Sequence, residues 1–145
     1  MTAVVIDASV GVEIVADTRR GQALVRLIPA GSHGWVPEHF YAEVLAVLRR
    51  RWLVEGKLTE SQATAAVGRL ASWHLHRASI APLALPAWRY RHNLTAADAL
   101  YIVLAEDLGA DFLTDGHRLA EAPTLPPRLN VLRLSARPGP PAGSS

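Results

Sequence analysis

The sequence contains no cysteine. This absence excludes disulfide bonds, thiolate metal ligands and a cysteine nucleophile, and it is typical of a reducing compartment. Long apolar runs are also lacking, because no segment approaches the roughly 18 residues that a membrane-spanning helix needs. The N-terminus lacks the basic segment of a signal peptide and reaches the carboxylate of Asp7 almost at once. We therefore expect a cytoplasmic protein that does not enter a membrane.

Lysine is nearly absent as well, because Lys57 is the single lysine beside 14 arginines. The formal net charge of +2 at pH 7 is too small to indicate nucleic-acid binding by itself. Half of the 145 residues are hydrophobic, a fraction that excludes a disordered chain and suits one domain. Residues 136–145 are mostly Pro, Gly, Ala and Ser, so we expect one domain over residues 1–135 followed by a disordered tail.

Short apolar segments alternate with helical patterns along the chain. Strands are predicted at residues 4–6, 35–36, 79–80, 112–114 and 131–134. Helices are predicted at residues 10–14, 20–28, 37–54, 59–75, 87–92, 95–109 and 119–122, with caps at Ser9, Thr59 and Thr95 and with Pro37 in a first turn. This alternation predicts an α/β fold with a central, largely parallel sheet. In such sheets, functional groups gather at the carboxyl ends of the strands.

Two aspartates follow predicted strands. Asp7 comes directly after residues 4–6, and Asp115 comes directly after residues 112–114. The carboxyl ends of parallel strands meet at one edge of the sheet, so we expect both side chains at that edge. The alternative for each is an aspartate that begins a turn or caps a helix, which is a common structural role.

Two further acids lie on predicted helices. Asp98 falls within the apolar stripe of its helix beside Tyr101, where an unpaired carboxylate is costly and a cationic group should meet it. Its alternative role is to partner the cap Thr95 in the first helical turn. Glu43 lies at the edge of the inward face of its helix, and its alternatives are a snorkelling surface glutamate or a pair with Arg50.

Clustered carboxylates without thiolates suit hard cations such as Mg²⁺ and Mn²⁺, which prefer oxygen ligands. A cation held in such a cluster can activate water and neutralise a phosphodiester in the transition state. The spacing of the acids does not itself show that they converge.

Three segments carry a resemblance to a known family. Residues 5–10, Val-Ile-Asp-Ala-Ser-Val, look like the opening of PIN-domain ribonucleases, in particular the VapC toxins of bacterial toxin–antitoxin pairs. Residues 37–44, Pro-Glu-His-Phe-Tyr-Ala-Glu-Val, resemble the middle acidic helix of the family. Residues 91–114, with the run Asp-Ala-Leu-Tyr from Asp98 and the later Leu-Thr, are similar to its second half. The resemblance covers about residues 3–134.

The resemblance implies a PIN-like three-layer α/β/α sandwich. It implies a Mg²⁺-dependent endoribonuclease that cleaves RNA by metal-activated water and in which Mn²⁺ can substitute. It also implies a toxin with a VapB-like antitoxin as partner, and a homodimer. Matched residue by residue, Asp7, Glu43 and Asp98 fall on metal-site acids of the family, and Ser9 and Thr114 fall on positions that line the site.

The fourth acid departs from the family pattern. The family reads Thr-x-Asp-x-Arg-Leu, whereas residues 114–119 read Thr-Asp-Gly-His-Arg-Leu, so Gly116 stands at the acid position. We expect Asp115, one place early, to reach the metal because Gly116 lets the turn bend. Otherwise the site lacks one ligand and is weak. The candidate catalytic and metal-binding residues are therefore Asp7, Glu43, Asp98 and Asp115.

Two other functions stay open at this point. A catalytically impaired PIN-like module that binds RNA or protein would follow if Gly116 disables the site. A phosphate-transfer receiver domain is also α/β with clustered aspartates. Receivers need a lysine near the site, however, and Lys57 lies in a turn between predicted helices. The four tryptophans are predicted to be packing residues rather than base-stacking ones.

Overall fold

The computed structural model describes residues 2–134, apart from the side chain of Arg118, so the predicted tail at 136–145 lies outside the described residues. These residues form one sheet in which every pairing is parallel. The strand order is β3-β2-β1-β4-β5. The strands are β1 (Ala3–Ile6), β2 (His33–Pro37), β3 (His76–Ala78), β4 (Asp111–Leu113) and β5 (Val131–Leu132).

The helices fall into two groups. The first group contains α1 (Ala8–Val15), α2 (Arg19–Val25), α3 (His39–Arg49), which continues as a π-helical turn over Arg50–Val54, and α4 (Glu60–Ser72). The second contains a 3₁₀ turn (Ala81–Leu83), α5 (Ala84–Trp88) and α6 (Ala96–Leu108), and the short α7 (His117–Ala120) follows β4. Helix α1 packs on α2, α3 and α4, whereas α6 packs on β1, β2, β4 and α5. The predicted α/β sandwich with a parallel sheet is confirmed.

The central strand β1 explains why this sheet forms. Val4, Val5 and Ile6 are all buried, as expected for a parallel strand covered on both faces. The register pairs Val5 with Trp35 of β2 on one side and with Phe112 of β4 on the other. Each parallel neighbour is reached through a helical crossover, so the carboxyl ends of β1, β2 and β4 share one edge of the sheet.

The helix caps follow the sequence signals closely at two places. Thr59 and Gln62 form the predicted reciprocal capping box at the start of α4. Thr95 caps α6, and Gly109 ends it in the left-handed conformation with φ of 59°.

Three local predictions were wrong. Pro37 ends β2 instead of opening a helix, because it pairs with Ala78 and the following Glu38 N–H bonds the Ala78 carbonyl at 3.1 Å. The third strand therefore lies at His76–Ala78 and not at residues 79–80. Ser9 lies inside α1 and not at its cap, because its hydroxyl bonds the Asp7 side chain.

Helix α2 lies very close to α1 where the two meet at Gly21. A Cβ atom at this position would stand 2.1 Å from the backbone oxygen of Glu13, so only glycine permits the approach. Arg20, the neighbouring residue, is thereby brought toward the sheet edge. In residues 2–134, no helix has both the length and the apolar character to cross a bilayer.

Candidate active site

The centre of the site is Asp7, which follows β1 directly. Its backbone N–H extends the pairing with β4 by donating to the Leu113 carbonyl at 3.0 Å. The residue is only 8% exposed. One carboxylate oxygen, Oδ2, accepts hydrogen bonds from the Ser9 hydroxyl at 2.9 Å and from the Thr114 hydroxyl at 2.7 Å. The end of the central strand therefore holds a buried carboxylate in a fixed orientation.

The pKa of Asp7 reflects its burial and four neighbours. Burial raises the pKa of the Asp7 carboxyl, the bonds from Thr114 and Ser9 lower it, and the charges of Asp98 and Glu43 raise it again. The net pKa is above the ordinary value. Asp98 and Glu43 thus lie near enough for their negative charges to act on Asp7.

Glu43 reaches the site from α3 and is held there by Tyr101. The Tyr101 hydroxyl donates to Oε1 of Glu43 at 2.7 Å. Burial and the Glu43 carboxylate raise the pKa of Tyr101, so the phenol stays protonated and remains a donor. The alternative pairing of Glu43 with Arg50 is wrong, because Arg50 pairs with Glu55 at 3.6 Å.

His39 lies beside the same carboxylate, one turn earlier on α3. Its Nε2 lies 3.0 Å from the Ala97 carbonyl and 3.4 Å from Oε1 of Glu43. A carbonyl only accepts, so Nε2 carries the hydrogen and donates to it. The His39 ring lies 4.8 Å from the Tyr101 ring, which ties α3 to α6 at the site.

Asp98 lies in the first turn of α6. Its backbone N–H donates to the Thr95 hydroxyl at 3.2 Å, so the capping role of Thr95 is real. The cationic side chain that the sequence leads us to expect is absent from the described residues, where no Arg, Lys or His pairs with Asp98. Among the described side chains, the half-buried Asp98 carboxylate thus has no cationic partner, and its charge acts on Asp7.

Asp115 lies at the same sheet edge, as predicted, but both of its oxygens are engaged. Arg20 forms a bidentate pair with it, with Nε at 2.6 Å from Oδ2 and Nη2 at 2.5 Å from Oδ1. The Asp115 backbone N–H donates to the Ser9 hydroxyl at 3.0 Å. Gly116 has φ of −86°, which any residue adopts, so the special bend expected there does not occur. Cation binding by Asp115 stays a prediction.

Two residues at the site escaped the sequence analysis. Tyr101 carried a usable signal, because a tyrosine in a buried helical stripe needs a partner for its hydroxyl. Arg20 carried none, since it pairs with a residue 95 positions away.

The donor set fits a hard cation in its chemistry. Asp7, Glu43 and Asp98 offer carboxylate oxygens, and the negative charges of Glu43 and Asp98 repel that of Asp7. In the described part of the chain, no three His, Asp or Glu side chains come together as a ready metal-binding group.

Comparison with known proteins decides the family. The family model of the PIN domain matches residues 4–125. The chain belongs to the PIN-domain family. This PIN protein is 39% identical over 119 residues to ribonuclease VapC3 of Mycobacterium tuberculosis. The aligned residues cover 82% of this chain and 86% of the relative. It is 35% identical to ribonuclease VapC1 of the same organism over 130 residues, 89% and 97% of the two chains. The resemblance to VapC-type PIN ribonucleases is confirmed.

Solved structures agree with the PIN fold. Mycobacterium tuberculosis VapC20, described as a toxin that cleaves the sarcin–ricin loop, matches with a TM-score of 0.60 at 19% identity over 81% of this chain and 93% of that one. VapBC2 of Rickettsia felis, bound to a DNA fragment from its promoter, matches with a TM-score of 0.64 at 12% identity over 92% and 99%. At these identities the likeness concerns the fold.

Proposed function

We propose that this protein is a Mg²⁺-dependent endoribonuclease that acts as the toxin of a toxin–antitoxin pair. The observation that carries the proposal is the environment of Asp7. This carboxylate is nearly buried, two hydroxyls orient one of its oxygens, and Glu43 and Asp98 add negative charge beside it. Such an arrangement is costly unless a cation neutralises it.

Each residue has a defined role in this proposal. Asp7, Glu43 and Asp98 would hold the cation, while Ser9 and Thr114 orient Asp7. When bound, Mg²⁺ supplies activation of water and neutralisation of charge on the phosphodiester, and Mn²⁺ is expected to replace it. Asp115 is a predicted fourth ligand, but Arg20 would have to release it first.

The RNA substrate and the toxin role are proposed from the relatives. Both relatives, VapC3 and VapC1, are named ribonucleases, and one solved neighbour is described as a toxin that cleaves the sarcin–ricin loop. A toxin with this activity would act on RNA in the cytoplasm.

A VapB-like antitoxin is the proposed partner, since a solved neighbour is a VapBC complex. An apolar groove of about 340 Å³ lies between α3 and α4, lined by Leu45, Trp52 and Val67, with Glu60 and Arg49 at its sides. All three apolar residues are partly exposed, which suits the apolar face of an antitoxin helix. Val67→Asp should therefore weaken neutralisation by the antitoxin while toxicity is kept.

The homodimer stays a proposal that draws on the resemblance. The most suggestive surface is on α5, where Leu85 is 76% and Trp88 is 63% exposed. The prediction that Trp88 is a packing residue was therefore wrong. Leu85→Glu with Trp88→Glu should shift the mass in solution from dimer to monomer, as measured by light scattering.

Cleavage assays test the central proposal. Purified protein should cleave RNA with Mg²⁺ and stop when the cation is chelated, and Asp7→Asn and Asp98→Asn should each abolish both cleavage and growth arrest. Asp107→Asn is the matched control, because Asp107 is exposed on the same helix as Asp98. Full cleavage by Asp7→Asn, or cleavage without any divalent cation, would contradict the hypothesis of metal-dependent cleavage.

A second function is favoured by one observation. Gly116 stands where the family has an acid, and the neighbouring Asp115 is already neutralised by Arg20. A catalytically impaired PIN-like module that binds RNA or protein would therefore bind the antitoxin yet show no cleavage at any Mg²⁺ concentration. The same assay, with an antitoxin pull-down, separates the two functions.

A further inference from the structure

We propose that Arg20 is a positioning residue for Asp7 and acts through Asp115 and two hydroxyl groups. Arg20 fixes the turn at residues 114–116, and that turn forces Ser9 and Thr114 to donate to the same oxygen of Asp7. The other oxygen, Oδ1, is thereby left for the cation. The inference rests on the proposed function, because it concerns how the chain prepares Asp7 to bind a cation.

The first step is the bidentate ion pair between Arg20 and Asp115. The two contacts, 2.5 and 2.6 Å, form a planar fork on a carboxylate, the geometry in which arginine is strongest. The side chains are only 23% and 15% exposed, so solvent screens the pair less than a surface pair. Arg20 is itself anchored, because Thr18 caps α2 and Gly21 lets α2 lie against α1.

The second step is the direction of the two hydroxyl hydrogens. The Asp115 N–H donates to Ser9 Oγ at 3.0 Å, and the Gly116 N–H donates to Thr114 Oγ1 at 3.1 Å. Each hydroxyl has a single hydrogen, and each receives a backbone donor on its oxygen. Both hydrogens are consequently directed to Oδ2 of Asp7, at 2.9 and 2.7 Å.

The third step concerns the other Asp7 oxygen. Among the described residues, no hydrogen bond is made to Oδ1, whereas Oδ2 receives two. A carboxylate held in this way presents one oxygen in a fixed direction. The entropic cost of ordering the side chain when a cation binds is therefore smaller. If the turn shifted, the Ser9 and Thr114 hydroxyls would be free to rotate, and Asp7 would lose that fixed direction.

This inference and the direct-ligand prediction for Asp115 give opposite expectations for Arg20→Lys. Lysine keeps the positive charge but cannot form the bidentate fork. If Asp115 is a ligand that Arg20 withholds, the substitution loosens the pair and cation binding becomes tighter or stays the same. If Arg20 positions Asp7, the turn loosens and cation binding becomes weaker.

The experiment measures Mn²⁺ binding by electron paramagnetic resonance of the free ion, together with amide hydrogen exchange in cation-free buffer. We expect Arg20→Lys to weaken Mn²⁺ binding about tenfold, the lower end for the loss of one hydrogen bond to a charged group. The Asp115 and Gly116 amides should exchange faster in that variant. Arg50→Lys is the control, because Arg50 pairs with Glu55 at 3.6 Å and, among the described residues, neither bonds α1, α2 or the turn at residues 114–116.

The outcomes separate the two proposals. Mn²⁺ binding by Arg20→Lys that equals or exceeds the wild type overturns the positioning role, and so do unchanged Asp115 and Gly116 exchange rates. If the wild type binds Mn²⁺ and Asp7→Asn does not, the proposed cation site at Asp7 stands whatever Arg20→Lys does. If the wild type binds no Mn²⁺, the proposed function fails, and the positioning role fails with it.

Discussion

The phenol of Tyr101 donates a hydrogen bond to Oε1 of Glu43 at 2.7 Å and thereby fixes a side chain that is 35% exposed. Tyr101 is fully buried, and its ring lies 6.3 Å from the ring of Phe112 on β4. The position of Glu43 is therefore set by the core of the protein, through one hydroxyl, and not by α3 alone.

Tyr101→Phe tests this relationship. The substitution removes the donor while the ring keeps its packing, so Glu43 gains freedom to leave the site. We expect cleavage to fall about tenfold and the free energy of unfolding to fall by about 1 kcal/mol, the usual effect of one lost hydrogen bond. Cleavage kinetics and chemical denaturation give the two values.

Tyr90→Phe is the control for that experiment. Tyr90 makes the same bond, 2.7 Å to Glu106, on the outer side of α6 and away from the acids. Cleavage should be unchanged in this variant. An equal loss of cleavage in both variants would show that the Tyr101 effect is not specific to Glu43.

Asp7→Asn should leave the fold at least as stable as the wild type in cation-free buffer near pH 7. The folded protein raises the pKa of Asp7, chiefly by burial, so the ionised form is disfavoured in the folded state. The associated stability is present at low pH and is lost as the pH rises through the raised pKa. Asparagine removes the charge and keeps an oxygen for Ser9 and Thr114.

The pH dependence of that variant gives the check. Its advantage in Tm over the wild type should shrink as the pH falls, because Asp7 itself becomes neutral. Thermal melts of both proteins between pH 8 and pH 4 measure the difference. A large loss of Tm at pH 7 would mean that Asp7 is held by a charged partner instead.

Mg²⁺ should stabilise the folded protein because it offsets the repulsion among Asp7, Glu43 and Asp98. At about 100 times the dissociation constant, a bound ligand adds about 2.7 kcal/mol, or roughly 5–10 °C in Tm for a chain of this length. The shift should disappear in Asp98→Asn and persist in Asp107→Asn. An equal shift in all three proteins would indicate unspecific cation binding.

Most of the fold could be predicted from the sequence, because the strongest sequence patterns are local. The apolar segment 4–6 and the segment 112–114 mark the two buried strands that deliver Asp7 and Thr114 to one edge. The periodic stripe after Thr95 marks α6 and so places Asp98 and Tyr101. In these elements, hydrophobic period and capping chemistry favour the same structure.

The third strand shows where local patterns stop being informative. His76 and Arg77 are exposed at the edge of the sheet, so this strand lacks the buried apolar run from which a strand is predicted. Pro37 pairs with Ala78 on this side of the sheet, although a proline after a short strand is more typical of a helix start. The strand forms because it pairs with β2, and neither segment carries a local sequence pattern that predicts this pairing.

The acids of the site and the hydroxyl partners of Asp7 could be named from the sequence, but Arg20, the partner of Asp115, could not. Arg20 meets Asp115 across 95 residues, and no periodicity links α2 to the turn after β4. The contact depends on the close approach of α2 to α1 at Gly21, a tertiary feature. The bend expected at Gly116 was inferred from residue type, and the backbone there is ordinary.

The ordinary backbone at Gly116 makes the missing family acid testable. With φ of −86° and the nearest side-chain atom, Thr114 Oγ1, at 3.5 Å from an added Cβ, Gly116→Asp introduces no backbone strain. It places a carboxylate at the family position while Arg20 keeps its grip on Asp115. We expect Mg²⁺ to bind more tightly and cleavage at limiting Mg²⁺ to rise about tenfold, since one added ligand charge acts on a divalent ion.

Two companion variants identify what Asp115 contributes. Asp115→Ala should lower cleavage, because Arg20 loses its anchor and the turn at residues 114–116 loosens. Gly116→Asp combined with Asp115→Gly should cleave RNA less well than Gly116→Asp alone for the same reason. The measurement is Mg²⁺-dependent cleavage of one RNA by the four proteins at equal folded concentration. Cleavage by Asp115→Ala at the wild-type rate would show that neither oxygen of Asp115 matters to the site. An unchanged rate in Gly116→Asp would show that position 116 does not face the cation.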